Sequence, residues 1–287
     1  MSSAQPITAE LRRWIVEQAQ AGHTPDQVLA AMRASGWEEG VALQALEETL
    51  HQHLTDVKAQ RRSGELPPPN KVPEPALDGA PPTLFAHDRE VKVLLTLSQP
   101  RVIVFGGLLS DEECDEMVAL STARLARSET VAATPNGSEV NAARTSDGMF
   151  FERGENALVQ RLEARLAALV GWPVDHGEGL QILRYRPGAE YLPHYDYFDP
   201  EHPSTPAILQ RGGQRVATLV MYLNTPEGGG ATIFPDIRLD VSPIKGNAVF
   251  FSYERPHPST LTLHGGAPVV AGEKWVATKW LREGVFT

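Results

Sequence analysis

Two histidines and one aspartate in the C-terminal half have the residue types and spacing of an iron site. His194 and Asp196 lie two residues apart at the end of LQILRYRPGAEYLPHYD. Alternate side chains of an extended segment point the same way, so both can bind one ion. His264 ends a second apolar run, LTLH. Two imidazoles and a carboxylate form the facial set that holds non-haem Fe(II) and leaves positions open opposite. We predict that His194, Asp196 and His264 are the metal ligands and the catalytic centre.

His257 is an alternative to His264 as the third ligand, because it lies in the same part of the chain. Pro256 and Pro258 flank it, however, and prolines on both sides indicate a loop. His264 therefore remains the predicted ligand.

The elements that would position these residues are short strands separated by Gly- and Pro-rich turns. The run that starts at Leu180 predicts a strand that closes at Tyr185, before a turn at Pro187 and Gly188. Further strands are predicted at 215–223, 231–234, 247–253, 261–264 and 274–281. This pattern predicts an α+β fold built on a double-stranded β-helix, the cupin-like jelly roll, with supporting helices.

Two helices should support this sheet. Ser110 precedes three acidic residues and is typical of a helix N-cap. The run ENALVQRLEARLAALVGW carries leucines on one face and Gly171 as its stop. Cys114 lies in the first helix, where we predict a small buried apolar residue and not a catalytic thiol.

Composition excludes several classes of protein. The 287 residues carry a net charge of −10, which argues against a nucleic-acid partner, because phosphate binding needs clustered Lys and Arg. The N-terminal residues are polar and no apolar run approaches a membrane span, so neither a leader nor a membrane association is expected. Cys114 is the single cysteine, so no intrachain disulfide is expected. These features predict a cytoplasmic location.

The chain should divide into three parts. Residues 1–56 predict a small three-helix module, with three basic residues against eight acidic ones. Residues 57–82 are rich in Pro, Gly and charge and predict an extended linker, and residues 83–287 form the iron domain. The helical module could bind a protein partner, could oligomerise, or could be only a stabilising appendage.

Several blocks of sequence resemble the catalytic domain of prolyl 4-hydroxylases, which are Fe(II)- and 2-oxoglutarate-dependent dioxygenases. The blocks are LQILRYRPGAEYLPHYDYF, GGGATIFPDI, KGNAVFFSY and HGGAPVVAGEKWVATKW, together with Arg144, Thr145 and Ser146. They fall in the family's order and cover about 100–283. The segment SGWEEGVALQALEETL is similar to the last part of a ubiquitin-associated module, although that family's loop between the first two helices is missing.

The resemblance to prolyl 4-hydroxylases implies roles for further residues. Lys274 would hold the far carboxylate of 2-oxoglutarate, and Tyr185 and Thr218 would hydrogen-bond the same acid. Tyr191 and Trp280 match aromatic positions near the site. Residues 128–143 match a mobile loop that closes over the substrate. Besides 2-oxoglutarate the family implies Fe(II), O2 and ascorbate as the reductant.

The activity that this resemblance implies is hydroxylation of a prolyl residue in a peptide or protein, with conversion of 2-oxoglutarate to succinate and CO2. Free proline or another protein side chain remains an alternative substrate. A non-catalytic metal-binding module of the cupin type is a second alternative. A metal hydrolase is disfavoured, since the sequence has no His-Glu-x-x-His motif.

Overall fold

The computed structural model describes residues 7–20, 24–50, 66–127, 130–131, 138–139 and 145–287. The chain divides into two compact units, Met1–Leu66 and Pro67–Thr287. None of the described helices is long and apolar enough to cross a membrane.

The first unit contains three helices, α1 (Ala9–Gln20), α2 (Pro25–Ala34) and α3 (39–50). The Thr8 hydroxyl accepts from the Leu11 amide, and Thr24 forms a reciprocal capping box with Gln27. The buried core residues are Leu11, Ile15, Val28, Met32, Ala42, Ala45 and Leu46. The prediction of three helices is thus confirmed for the residues described, and 51–56 lie outside them.

The predicted linker requires a correction. Residues 57–65 lie outside the described part of the chain, but residues 67–82 belong to the second unit. The Glu74 amide donates to Val170 O (3.0 Å), the Asn70 amide donates to Glu254 O (2.6 Å), and Pro73 and Pro75 are buried. The boundary therefore falls at Leu66/Pro67 and not at 82/83. A Pro-rich segment can pack in this way because prolines can bury apolar surface without leaving an unpaired N–H group.

Deleting residues 67–79 is expected to destabilise the second unit, since Val72 and Leu77 pack against its core. A fragment that starts at residue 80 should lose at least about 2 kcal/mol of unfolding free energy relative to one that starts at residue 67. Urea denaturation of the two fragments measures the difference. Equal midpoints would show that 67–79 is a linker after all.

The helices of the second unit are α4 (Asp111–Thr122), α5 (Ala157–Val170) and α6 (Thr205–Leu209). Its strands up to the first predicted ligand are β1 (Thr83–Ala86), β2 (Arg89–Leu97), β3 (Arg101–Gly106), β4 (Ala126–Arg127), β5 (Thr130–Val131), β6 (Ser138–Glu139), β7 (Asp147–Phe151), β8 (Leu180–Tyr185) and β9 (Tyr191–His194). The later strands are β10 (Arg215–Tyr222), β11 (Gly228–Gly229), β12 (Thr232–Phe234), β13 (Leu239–Val241), β14 (Ala248–Ser252), β15 (His264–Gly266), β16 (Val269–Ala271) and β17 (Lys274–Arg282).

Two antiparallel sheets form the barrel. The major sheet has the order β1-β2-β3-β14-β10-β17-β8-β7-β4 and the minor sheet has the order β13-β12-β15-β9. From β8 onward, β8, β10, β14 and β17 lie in the major sheet and β9, β12, β13 and β15 in the minor one, so the chain passes repeatedly between the two. This is the predicted double-stranded β-helix, in an α+β fold with supporting helices.

The central strands of the major sheet are buried on both faces. On β17, Trp275 and Ala277 belong to the core that includes α5, whereas Val276 belongs to the core of the barrel interior. This alternation explains why β17 and β8 read as nearly continuous apolar runs. Lys274, at the start of β17, has the parity of Val276 and so faces the interior.

The strand predicted at 261–264 is wrong in its bounds. His264 begins β15 instead of ending a strand, because Pro258–Thr260 forms a single 3-10 turn and Leu261 adopts a positive φ of 56°. Gly265 then allows close approach to β9, since a Cβ there would lie 2.8 Å from the Tyr191 carbonyl oxygen. His264 is thereby placed directly opposite His194.

Candidate active site

The three predicted ligands meet at the mouth of the barrel. His194 ends β9, Asp196 follows it, and His264 begins the paired strand β15. Asp196 Oδ1 lies 3.5 Å from His194 Nε2, and Asp196 Oδ2 lies 3.4 Å from His264 Nε2. One ligand atom from each residue lies within 4.8 Å of the others, so this group could hold a metal ion.

Hydrogen bonds to backbone carbonyls set the tautomers of both imidazoles. His194 Nδ1 lies 2.9 Å from Leu192 O, and His264 Nδ1 lies 2.9 Å from Thr262 O. A carbonyl only accepts, so in each ring the proton is on Nδ1 and the Nε2 lone pair faces Asp196. Burial, with repulsion from His264, lowers the pKa of His194, which favours the neutral form that binds metals.

Asp196 is held by a directed chain of hydroxyl groups. A carboxylate only accepts, so the Thr218 hydroxyl donates to Asp196 Oδ2 (2.7 Å) and accepts from the Tyr253 hydroxyl (2.9 Å). Burial and the Asp196 charge raise the pKa of Tyr253 well above its usual value, which keeps this phenol protonated.

Thr218 was predicted to contact 2-oxoglutarate, and the structure places it differently. Its hydroxyl is committed to Asp196, and Thr232, not Thr218, lines the cavity beside the ligands. Thr218 therefore positions a ligand. The prediction failed because β10 presents Thr218 behind the carboxylate, an arrangement that depends on how the strands face one another across the barrel.

Thr218→Val is expected to weaken iron binding about 10- to 100-fold, the usual effect of removing a group that orients a ligand. The mutation leaves Asp196 with one donor fewer and leaves its carboxylate free to rotate. Iron content after dialysis against a graded chelator measures the effect. Thr122→Val, on the exposed surface of α4, is the matched control, and equal iron retention in both variants would contradict the role of Thr218.

An inner cavity of about 50 Å³ lies beside the three ligands. Lys274 and Tyr185 line it, and Lys274 Nζ lies 5.4 Å from the centre of the Tyr185 ring. Lys274 is 4% exposed, and it has no carboxylate partner within the part of the chain that the structure describes. Burial lowers the pKa of Lys274 to about 8. An unpaired buried ammonium is costly, and an anion in this cavity would relieve that cost.

An outer cleft of about 350 Å³ shares His194 and Asp196 with the inner cavity. Tyr191 and Trp280, both predicted near the site, line the cleft and the inner cavity alike. The Tyr191 ring stacks on His194, with 3.7 Å between ring centroids, and so fixes this imidazole. Aromatic and polar side chains line the cleft together, and the aromatic ones are Phe150, Tyr191, Tyr195, Tyr197, Phe198 and Trp280.

A buried charge network beneath the outer cleft was not predicted. Arg215 donates to both carboxylate oxygens of Glu178 (2.7 and 2.8 Å), and Arg282 donates to Glu178 Oε1 (2.9 Å). The Arg215 guanidinium also lies 3.9 Å from the centre of the Trp280 ring and lines the cleft. Each of these residues lies at or just beyond the end of a strand, where a charged residue is ordinarily expected to be exposed to solvent. Only their mutual pairing makes burial possible.

The remaining predictions fall elsewhere. His257 Nδ1 accepts from the Ser259 amide (3.1 Å), and His257 is not part of the metal-binding group. Cys114 is buried, and burial raises the pKa of its thiol to about 11, consistent with an inert core residue. Arg144 and most of the predicted closing loop at 128–143 lie outside the described residues.

Comparisons with known proteins agree with this geometry. Residues 180–282 match the model of the 2OG-Fe(II) oxygenase superfamily. Prolyl 4-hydroxylase 2 of Arabidopsis thaliana is 38% identical over 219 residues, which cover 68% of this chain and 71% of the relative. Prolyl 4-hydroxylase 5 of the same plant is 38% identical over 203 residues, covering 63% and 68%.

Among solved structures, the viral collagen prolyl hydroxylase of Paramecium Bursaria Chlorella virus-1, as its 2OG complex, is 30% identical with a TM-score of 0.49. That match covers 63% of this chain and 94% of the viral one. The share and identity of the plant relatives confirm the predicted family. The chain belongs to the 2OG-Fe(II) oxygenase superfamily, with a catalytic unit of the prolyl 4-hydroxylase-like kind.

Proposed function

We propose that this chain hydroxylates a prolyl residue of a peptide or protein in a reaction that depends on Fe(II), 2-oxoglutarate and O2. The observation that carries the proposal is the pairing of a His-Asp-His group with a buried Lys274 in one cavity, where none of the described residues gives this lysine a carboxylate partner. A metal-binding group alone would fit many proteins. The additional cation, Lys274, fits an acid that binds the metal at one end and carries a second carboxylate at the other.

His194, Asp196 and His264 would hold Fe(II) through Nε2, a carboxylate oxygen and Nε2. The tautomers set by Leu192 O and Thr262 O support this assignment, because they leave both lone pairs facing Asp196. When bound, Fe(II) would supply activation of O2, the oxidant that puts one oxygen atom into succinate as 2-oxoglutarate loses CO2 and the other into a substrate C–H bond. The protein supplies position, and ascorbate is proposed as the reductant that keeps the iron ferrous.

Lys274 would bind the far carboxylate of 2-oxoglutarate at the closed end of the inner cavity, and Tyr185 would contact the same acid. The apolar walls there, which include Leu183 and Val276, exclude water and strengthen the charge pair. The substrate would enter through the outer cleft, whose aromatic walls suit a proline-rich chain in an extended conformation.

Two further roles remain proposals beside this one. Residues 1–56 would engage a protein partner through their acidic helices, and the chain would act in the cytoplasm. A non-catalytic metal-binding module is the less favoured function, because a buried cation serves no purpose in a site that holds only a metal.

The affinity for 2-oxoglutarate should fall above about pH 8, since burial lowers the pKa of Lys274 to about 8. Only the ammonium form attracts a carboxylate, and this form is lost as the pH rises through the pKa. KM for 2-oxoglutarate should be flat below this pH and rise by up to about tenfold per pH unit above it. Lys274→Arg, which stays charged, is the control and should show no such rise. A flat profile in the wild type would contradict the role of Lys274.

The direct test of the function is mass spectrometry of proline-rich peptides after incubation with the full chain, Fe(II), ascorbate and 2-oxoglutarate. We expect addition of one oxygen atom at proline, dependent on every component. A chain that consumes 2-oxoglutarate with free proline or cell lysate, but modifies no peptide at proline, would keep the chemistry and refute the prolyl substrate.

A further inference from the structure

His202 lies in the connection between β9 and β10 and lines the outer cleft. Local hydrogen bonds hold its backbone in place. Its amide donates to Asp199 O (3.1 Å), and its carbonyl accepts from the Thr205 amide (3.0 Å). The Thr205 hydroxyl also donates to Asp199 O (2.6 Å), and Ser204 and Thr205 are buried. The His202 ring is therefore presented from an ordered segment.

The hydrogen bonds of its ring define which nitrogen carries the proton. The Ser204 amide points at His202 Nδ1 (3.3 Å), and Ser204 Oγ lies 2.7 Å from the same atom. A backbone amide can only donate, so Nδ1 holds the lone pair, the Ser204 hydroxyl donates to it as well, and the ring proton is on Nε2. Within the described residues Nε2 makes no hydrogen bond. An N–H donor thus remains available on the edge of the ring opposite Ser204.

This donor matters because six aromatic side chains line the cleft, and among the described residues the Trp280 indole N–H is a second donor there that is buried without a partner. An extended peptide that crosses such a wall buries backbone carbonyl groups, and a buried carbonyl without a donor is costly. The neighbouring polar groups are already committed, Ser204 to His202 and Thr205 to Asp199. Arg215, the charged donor that lines the cleft, is paired with Glu178 and stacked on Trp280.

We propose that His202 is a peptide-binding residue, donating from Nε2 to a backbone carbonyl of the substrate in the outer cleft. The inference rests on the proposed function, since it requires a peptide substrate. His202 would contact the backbone of the peptide and not the proline ring that is hydroxylated. Free proline, which lacks a neighbouring residue, would not gain from this contact in the same way.

The test compares two amide replacements in the full chain loaded with Fe(II). Glutamine places its amide nitrogen near the position of Nε2, whereas asparagine reaches only as far as Nδ1. His202→Asn should raise the peptide KM about tenfold, the effect of one lost hydrogen bond, with a smaller change in kcat. His202→Gln should keep the peptide KM within about threefold of wild type, since the donor is restored. His87→Asn, in the exposed turn between β1 and β2, is the matched control.

Initial rates of hydroxylated peptide formation give both constants. An unchanged peptide KM in His202→Asn would overturn the inference. An equal rise of the peptide KM in both variants, together with a lower melting temperature, would also overturn it, because that result would show that His202 acts through packing. Failure of the proposed function looks different: the wild type itself would modify no peptide, and the inference would fall with it.

Discussion

His264→Ala is expected to lower peptide hydroxylation by more than about a hundredfold, since removing only an outer-shell partner of a metal ligand already costs about 10- to 100-fold. The imidazole lies within 3.4 Å of Asp196 and forms one side of the metal-binding group. Its loss leaves one imidazole and one carboxylate, which hold iron loosely. Bound iron after desalting and the rate of succinate formation measure the two effects, and His194→Ala and Asp196→Ala should behave alike.

His257→Ala is the matched control, because this histidine lies in the connection that leads into β15 and accepts a hydrogen bond from the Ser259 amide. It should retain iron and turnover of the wild-type order. An active His264→Ala protein, paired with an inactive His257→Ala protein, would move the third ligand to His257.

Lys274→Ala is expected to raise the KM for 2-oxoglutarate by about two to four orders of magnitude, because a buried charge pair that loses one partner costs about 3 to 5 kcal/mol. Lys274 is buried among Tyr185, Tyr222 and strand β15. Once its ammonium is removed, water in this cavity cannot compensate the charge of the 2-oxoglutarate carboxylate. Iron binding should remain close to wild type, as Lys274 is not part of the metal-binding group.

Titration of 2-oxoglutarate at saturating iron gives the constant, and Lys92→Ala, an exposed lysine on β2, serves as control. Comparable loss of iron in Lys274→Ala would show that the lysine supports the metal site and not the acid.

The metal-binding group could be predicted from sequence because each ligand is marked by the residues next to it in the chain. His194 and Asp196 are two residues apart on an extended segment, and His264 adjoins an apolar run. The role of Thr218 could not be predicted in this way, since its contact with Asp196 joins strand β10 of the major sheet to a residue that follows β9 of the minor sheet. The same holds for Glu178, which is buried only because Arg215 and Arg282 surround it.

The fold was predictable to a similar extent. Long apolar strands such as β10 and β17 and the capped helices α4 and α5 carry strong patterns. Strands of two or three residues, such as β11 and β16, are too short to show a period of two. The segment 67–82 was misassigned because a Pro-rich composition also occurs in chains that pack, and Pro73 and Pro75 are buried here.

The central claim is that His194, Asp196, His264 and Lys274 form one site that couples 2-oxoglutarate to hydroxylation. Its most direct test is to run the reaction under isotopically heavy dioxygen with a proline-rich peptide, and to compare wild type with His264→Ala. The account predicts one heavy oxygen atom in the hydroxylated peptide, one in succinate, equal amounts of the two products, and neither product from the variant. Oxygen drawn from water into the peptide, or undiminished product from His264→Ala, would contradict it.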